Sequence, residues 1–211
     1  MKIYKNANLK KITSFKLGGT SEYFAYARST RDLIQLLSWA KKNNLLFLIV
    51  GDTSNLIFSN KKFLGIIIQI KFKYKKILKE DEKYVFIDVQ AGLNWDKFVE
   101  FTVQKKYWGI ENLSLIPGTV GATPVQNVGA YGQEVKNVID KVYVYDCLKE
   151  KFKYLSNKNC KFSRRKSIFN SKKLNNLIII SVVFKLSKKN NPILTRKDFF
   201  LKLSTKNFKK I

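Results

Sequence analysis

The chain has 211 residues, of which 45% are hydrophobic and 14% aromatic, which is enough apolar side chain for a folded core and excludes a peptide or a disordered chain. Lysine and arginine number 41 against 15 acidic residues, a formal charge of +26. Histidine is absent, and Cys147 and Cys160 lack metal-binding spacing, so Ser-His-Asp catalysis and histidine-ligated metals are excluded and no metal site is predicted.

The first half of the chain alternates helices and strands. A helix is predicted after the cap Ser29, because apolar residues recur at i, i+3, i+4 and i+7 from Leu33. A second helix is predicted after the cap Asn94, with Trp95 and Phe98 on one face. Three apolar runs predict strands: 45–50, 66–70 and 84–89. This order is typical of α/β units.

The second half of the chain changes character. Residues 110–132 are rich in glycine and proline, which predicts irregular backbone that turns sharply or approaches a neighbour closely. Residues 141–146 and 177–186 then predict two more strands. The last stretch, 191–211, holds too little apolar surface for a domain of its own.

The first candidate binding loop follows the strand predicted at 45–50. It consists of Gly51, Asp52, Thr53, Ser54 and Asn55. A strand followed by glycine and small hydroxyl residues exposes several backbone N–H groups, which bind phosphate or pyrophosphate. An ordinary turn capped by its Asp and Ser side chains is the alternative. Neither GxGxxG nor a P-loop pattern is present.

The second candidate binding loop covers residues 115–132 and carries no charge. Its small residues predict a groove with backbone walls, against which a flat polar heterocycle could lie; they are Gly118, Gly121, Ala122, Gly129, Ala130 and Gly132. Gln126 and Asn127 supply donors and acceptors to the edge of such a ring. A purely structural Ω-loop is the alternative.

The run from Ser114 to Glu134, which contains Pro117-Gly118 and the segment 125–134, resembles the UDP-N-acetylenolpyruvoylglucosamine reductase family. Further segments agree in order and spacing: 13–15, 17–19, 51–56, 111–113, 160–162, Arg165 and 167–169. The similarity extends over about residues 1–200.

The resemblance implies an α+β, two-lobed FAD-binding fold of the p-cresol-methylhydroxylase and vanillyl-alcohol-oxidase type. It implies a first FAD-binding lobe at 1–70, a second at 71–188, and at 189–211 the start of an incomplete substrate domain or a tail. The substrate-binding C-terminal domain of the family is then expected to be largely missing.

The same resemblance implies a flavoenzyme that uses NADPH and FAD to reduce UDP-N-acetylenolpyruvoylglucosamine to UDP-N-acetylmuramate in peptidoglycan synthesis. Gly51 to Asn55 would receive the FAD pyrophosphate, and the small residues from Gly118 to Gly132, with Gln126 and Asn127, would line the flavin side. Arg165 matches the arginine that stabilises negative charge on the substrate carboxylate. Arg196 stands where a substrate-binding tyrosine is common, and could grip the UDP diphosphate.

The chain also departs from the family. Arg164 and Lys166 flank Arg165 in place of an aromatic and an acidic residue. No Asn-Ala-Gly-Ser-Phe-Phe motif occurs, so the family's proton-donating serine and its late glutamate are not found. We therefore expect reduced or conditional activity, and a non-catalytic FAD-binding remnant of the enzyme is the alternative.

The charge and the apolar runs bear on partners and location. A polyanionic partner, a bound small anion or compositional drift toward lysine could each explain the charge, and scattered lysines favour drift over specific nucleic-acid binding. The alternating lysines and aromatic residues at 71–74 are a feature of the sequence that favours nucleic-acid binding. The N-terminus lacks a signal-peptide core and the apolar runs are too short for a membrane span, so a cytoplasmic protein with free thiols is predicted. We also expect a monomer.

Overall fold

A computed structural model of the chain describes residues 2–171 and 176–190. The described residues form two main sheets and two α-helices. The first sheet has the strand order β1-β2-β4-β3 and consists of β1 (Ile3–Asn8), β2 (Thr20–Ala27), β3 (Phe47–Val50) and β4 (Phe63–Ile70). β4 runs parallel to both β2 and β3, whereas β1 is antiparallel to β2. The parallel pairs require crossover connections, and one of these is a helix.

Helix α1 (Thr30–Lys42) connects β2 to β3 and begins where the sequence predicts. The Ser29 side chain accepts a hydrogen bond from the Asp32 amide at 3.0 Å, which satisfies one free donor of the first turn. The Asp32 carboxylate accepts from the Arg28 amide, so the reciprocal half of a capping box is not formed at Ser29. Leu33, Leu36 and other apolar residues of one face are buried against the sheet.

The second sheet is antiparallel and has five strands. The remaining strands of the chain, in order, are β5 (Lys75–Glu80), β6 (Tyr84–Gln90), β7 (Gly129–Ala130), β8 (Gln133–Glu134), β9 (Ile139–Asp146), β10 (Lys151–Ser156) and β11 (Leu177–Ser187). The strand order in the second sheet is β10-β9-β11-β6-β5. β7 and β8 form a separate short hairpin. Helix α2 (Trp95–Gln104) follows β6 and is capped by Asn94, as predicted, because Asn94 accepts from the Lys97 amide at 3.0 Å.

One apolar core joins the two sheets. Trp95 and Phe98 of α2 pack on Phe184 of β11, with ring centroids 6.0 and 4.9 Å from that ring. The same cluster of buried residues includes Leu33 of α1 and Ile66 of β4, so the helices and both sheets share it. Each fully buried large apolar side chain contributes about 1.5–3 kcal/mol to folding, so this shared core fixes the two sheets relative to one another.

The strands predicted at 84–89, 141–146 and 177–186 are confirmed with bounds that differ by one or two residues. The strand predicted at 45–50 begins only at Phe47. The Leu45 amide donates to the Ala40 carbonyl at 2.9 Å, so Leu45 closes the end of α1 and does not enter the ladder.

The two cysteines are free thiols. Burial raises the pKa of Cys147 to about 11 and that of Cys160 to about 12. Both thiols are therefore protonated at neutral pH, which is the less nucleophilic form. In the described part of the chain, neither helix is long and apolar enough to cross a membrane.

Asp146 ties the β9–β10 turn to the start of β11. Its side chain is 4% exposed and accepts from Lys153 Nζ at 2.7 Å, from Asn176 Nδ2 at 2.8 Å and from two amides of the turn. These bonds favour the carboxylate over the acid, and chiefly that from Lys153 lowers the pKa of Asp146 to about 2 from 3.8.

We predict that Asp146→Asn lowers the free energy of unfolding at pH 7 by about 1–3 kcal/mol, because a charge-assisted hydrogen bond is lost. Because the pKa of Asp146 is lowered, its carboxylate contributes fully to the stability of the fold above about pH 4, which is near the ordinary pKa of 3.8. This contribution is lost as the pH falls toward about 2. Urea unfolding of both proteins from pH 7 to pH 2 measures this. The difference should shrink below about pH 4, and a constant difference over that range would contradict it. Glu82→Gln, in an exposed turn, is the matched control.

Candidate functional site

A cleft of about 460 Å³ lies between the two sheets. It is lined by β3 and the loop after it, by the segment 118–126, by Phe169 and by the first residues of β11. Ile70, the last residue of β4, and Ala91, directly after β6, also face it. The volume falls in the range of sites for small molecules and cofactors.

The loop 51–55 is held from outside the cleft. The Gly51 carbonyl accepts from Gln69 Nε2 at 2.7 Å, and the Asp52 carbonyl accepts from the Ser14 hydroxyl. Thr53 Oγ1 donates to the same Asp52 carbonyl at 2.6 Å and accepts from the Ser14 amide at 3.0 Å. These bonds fix the loop before any ligand arrives.

Thr53 itself adopts a left-handed conformation, with φ of +58°. A β-branched residue is strained in this region, so the hydrogen bonds of its hydroxyl must hold it there. Within residues 2–171 and 176–190, the backbone N–H groups of residues 52 to 55 find no protein acceptor. The loop therefore offers successive free donors, as an anion-binding nest does.

The glycine-rich segment approaches β6 closely. The Gly121 amide donates to the Ala91 carbonyl and the Val120 amide to the Leu93 carbonyl, both at 2.9 Å. A Cβ built on Gly121 would lie 2.5 Å from the Ala91 Cβ, which is closer than two carbon atoms can stand. Only glycine therefore fits at position 121.

The two candidate loops touch each other. Ser54 Oγ donates to the Pro117 carbonyl at 3.1 Å, across 63 residues of sequence. A Cβ on Gly51 would lie 2.5 Å from the Thr119 hydroxyl oxygen, so the close contact depends on glycine there. The floor of the cleft is consequently made of backbone from both loops.

Nine of the residues predicted for cofactor binding line this cleft. They are Gly51, Asp52, Thr53, Ser54, Asn55, Gly118, Gly121, Ala122 and Gln126. The other four, Asn127, Gly129, Ala130 and Gly132, do not line it.

Asn127 is 1% exposed and bonds to protein with its whole amide. Its Nδ2 donates to Glu134 Oε2 at 2.8 Å and to the Ser163 carbonyl at 3.0 Å, and its Oδ1 accepts from the Lys136 amide at 3.1 Å. Asn127 thus joins the β7–β8 hairpin to the loop at residue 163. The hydrogen bond from Lys136, helped by Asn127, lowers the pKa of Glu134.

Arg165 lies in a tight turn that begins at Ser163 and ends at Lys166, whose amides donate to each other's carbonyls at 2.9 and 3.1 Å. Its φ is +56°. The exposed guanidinium donates from Nη2 to the Gly129 carbonyl at 3.0 Å. Arg165 is therefore tied to the β7–β8 hairpin, outside the cleft lining. Arg196 lies outside the described residues.

Sequence reasoning missed the apolar walls of the cleft and the residues behind its loop. The walls are Phe47, Leu48, Ile49, Val125, Phe169, Leu177, Ile178 and Ile179. Their apolar runs predict strands, but no local signal distinguishes a strand that faces a cleft from one that faces a core. Ser14 lies in the segment 13–15 that carries the resemblance, and Gln69 lies in the strand predicted at 66–70. Nothing in the sequence links either residue to the loop 51–55, because each is far in sequence from that loop.

The chain is similar to known FAD-binding proteins. Residues 21–148 match the family model described as an FAD binding domain, which is more than half of the chain. This chain belongs to the FAD binding domain family. The UDP-N-acetylenolpyruvoylglucosamine reductase of Bdellovibrio bacteriovorus is 38% identical over 190 residues, which are 90% of this chain and 56% of that protein. The resemblance in the motifs is thereby confirmed along most of the chain, which spans little more than half of that relative.

Solved structures agree on the fold of this family member. UDP-N-acetylenolpyruvylglucosamine reductase from Thermus caldophilus has a TM-score of 0.67 at 22% identity, and the match covers 96% of this chain and 66% of that one. p-Cresol methylhydroxylase has a TM-score of 0.53 at 15% identity, covering 81% and 36%. The predicted α+β fold of the p-cresol-methylhydroxylase type is confirmed.

We predict that Gly121→Ala lowers the free energy of unfolding by about 1–3 kcal/mol, because the new methyl group forces residues 118–122 away from β6. Urea unfolding measures the loss. Ala122→Ser adds an atom at the exposed neighbouring position and serves as the control, with stability unchanged. Equal stability of Gly121→Ala and the wild type would show that the segment can move away at no cost.

Proposed function

We propose that this chain binds FAD in the cleft between its sheets and acts, with NADPH as reductant, in the reduction of UDP-N-acetylenolpyruvoylglucosamine to UDP-N-acetylmuramate for peptidoglycan synthesis. The observation that carries the proposal is the contact between the loop 51–55 and the glycine-rich segment, which makes a backbone-walled cleft inside an FAD binding domain. Similarity to reductases named for this substrate supports the choice of reaction.

The residues present fit FAD. Residues 52 to 55 present N–H groups that no described protein acceptor uses, and these would hold the pyrophosphate. Gly51 and Gly121 leave the cleft free of side chains where a cofactor must approach the backbone. The apolar wall formed by Phe47 and the start of β11 would cover the rings and exclude water.

Bound FAD would supply the redox chemistry of hydride transfer, and the protein's part is to hold, orient and seclude the reactants. Gln126 lines the cleft with an amide that both donates and accepts, and would bond to the edge of the flavin ring. Asn127, by contrast, acts through the β7–β8 hairpin, because its own amide is already used within the protein. The small residues Gly129, Ala130 and Gly132 belong to that same hairpin region.

Arg165 is the proposed catalytic residue. One of its five N–H donors holds the Gly129 carbonyl, which restrains the guanidinium while others stay available for a substrate carboxylate. A fixed cation at that carboxylate would stabilise the negative charge that develops during reduction. Arg196 is proposed to contact the diphosphate of the UDP-sugar. We further propose that the protein works as a cytoplasmic monomer on these small-molecule partners.

We predict that the purified protein binds FAD in a ratio of about one to one and turns yellow, measured by flavin absorbance and by fluorescence quenching. Ala122→Trp places an indole at an exposed position of the cleft wall and should abolish this binding while the fold survives. Leu148→Trp, at a residue 81% exposed and outside the lining, should bind FAD as the wild type does. A wild-type preparation that stays colourless with added FAD would refute the proposed cofactor.

We predict NADPH oxidation that depends on the enolpyruvyl sugar, assayed with the chain alone and with the C-terminal part of the Bdellovibrio bacteriovorus relative added. Arg165→Lys should lower kcat about 10²–10³-fold, because an ammonium cannot replace the bidentate guanidinium. Arg164→Lys, at the neighbouring position of the turn, should leave kcat unchanged. FAD binding without sugar-dependent oxidation in either assay would favour the alternative of a non-catalytic FAD-binding protein.

A further inference from the structure

The direction of the free donors in the loop 51–55 follows from its carbonyls. In a trans peptide the C=O of one residue and the N–H of the next point to opposite sides. The described residues contain no cis peptide, so this rule holds along the whole loop. When a donor on one side of the loop binds the carbonyl of one residue, the N–H group of the next residue therefore points to the opposite side of the loop.

Each of three successive carbonyls is captured by the protein. The Gly51 carbonyl accepts from Gln69 Nε2 at 2.7 Å, the Asp52 carbonyl accepts from the Ser14 hydroxyl, and the Thr53 carbonyl accepts from the Leu56 amide at 3.2 Å. The N–H groups of the next residues in the chain, which are 52, 53 and 54, consequently point away from these partners.

Gln69 and Ser14 stand behind the loop. Both lie outside the cleft lining, and Gln69 is 4% exposed within β4, directly beside Val50 of β3. Ser14 belongs to the connection between β1 and β2 and reaches the loop across 38 residues of sequence. Its amide also holds the Thr53 hydroxyl, which stabilises the strained left-handed residue between two of the donors.

We infer that Ser14 and Gln69 are positioning residues for the proposed FAD site, which turn the amides of residues 52 and 53 toward the pyrophosphate by capturing the preceding carbonyls. The inference rests on the proposed function. Without these two donors the Gly51 carbonyl loses its partner, and the Asp52 carbonyl keeps only the hydroxyl of the adjacent Thr53, which belongs to the same loop and does not anchor it to the rest of the protein. The peptide units are then free to rotate, and the diphosphate meets carbonyl oxygens in place of N–H groups. Neither residue touches the cofactor in this arrangement.

The experiment uses the full chain freed of FAD and titrated with FAD, followed by flavin fluorescence. Ser14→Ala and Gln69→Met each remove one donor, and Gln69→Met keeps the buried volume. We expect the Kd for FAD to rise about three- to tenfold in each variant, as for the loss of one hydrogen bond. Phosphorus NMR of bound FAD should show displaced pyrophosphate resonances, while the visible flavin bands stay in place. Ser14→Thr should restore wild-type values.

The control is Ser59→Ala, which removes an exposed serine hydroxyl that does not reach the loop 51–55. Thermal unfolding of the FAD-free proteins separates positioning from general loss of stability. Unchanged affinity in both Ser14→Ala and Gln69→Met, or weaker binding with unmoved phosphorus resonances, overturns the inference. If Ser14→Ala fails to fold, Gln69→Met decides on the same criteria. A wild-type protein that binds no FAD overturns the proposed function instead, and the inference with it.

Discussion

The contact between the loop 51–55 and the segment 117–121 is the constraint on which the rest of the site depends. Gly51 admits the Thr119 hydroxyl at a distance that no side chain would allow, and Ser54 binds the Pro117 carbonyl. Because one loop follows the first sheet and the other packs on the second, this contact joins the sheets at the base of the cleft. Chain entropy opposes such a long-range closure, and the core shared by both sheets compensates for it.

The electrostatics of the cleft differ from those of the whole chain. Although the formal charge is +26, the loop that faces the cleft carries a carboxylate, Asp52, and its donors are neutral amides. Lys71 Nζ lies 3.4 Å from Asp52 Oδ1 and partly offsets that charge. Exposed pairs such as Lys41 with Glu150 contribute little to stability. An anion in this cleft would thus be bound by oriented dipoles more than by the excess lysine.

The region around Arg165 forms a second unit beside the cleft. Asn127 ties the β7–β8 hairpin to the turn that bears Arg165, and Arg165 ties back to Gly129. The turn that bears Arg165 is irregular and the β7–β8 hairpin has only two residue pairs, so these hydrogen bonds are what join the two segments. Because Gln126 lines the cleft and Asn127 belongs to this unit, the cleft and the arginine are linked through adjacent residues of the backbone.

The sequence by itself determined the elements with strong local signals: both helices with their caps, the central strands of the second sheet, the two loops with their unusual composition, and the family resemblance. It did not predict β5 or β10, because these edge strands are largely exposed and lack an apolar run. Only the tertiary structure shows that the Asn127 amide makes all its hydrogen bonds within the protein and that the start of β11 lines the cleft. It alone also shows that Gln69 and Ser14 hold the loop 51–55 from outside the cleft. The hydrogen bonds concerned join residues that are 7 to 39 positions apart in the chain. Their directions are set by the way the sheets pack, and the local sequence does not encode that packing.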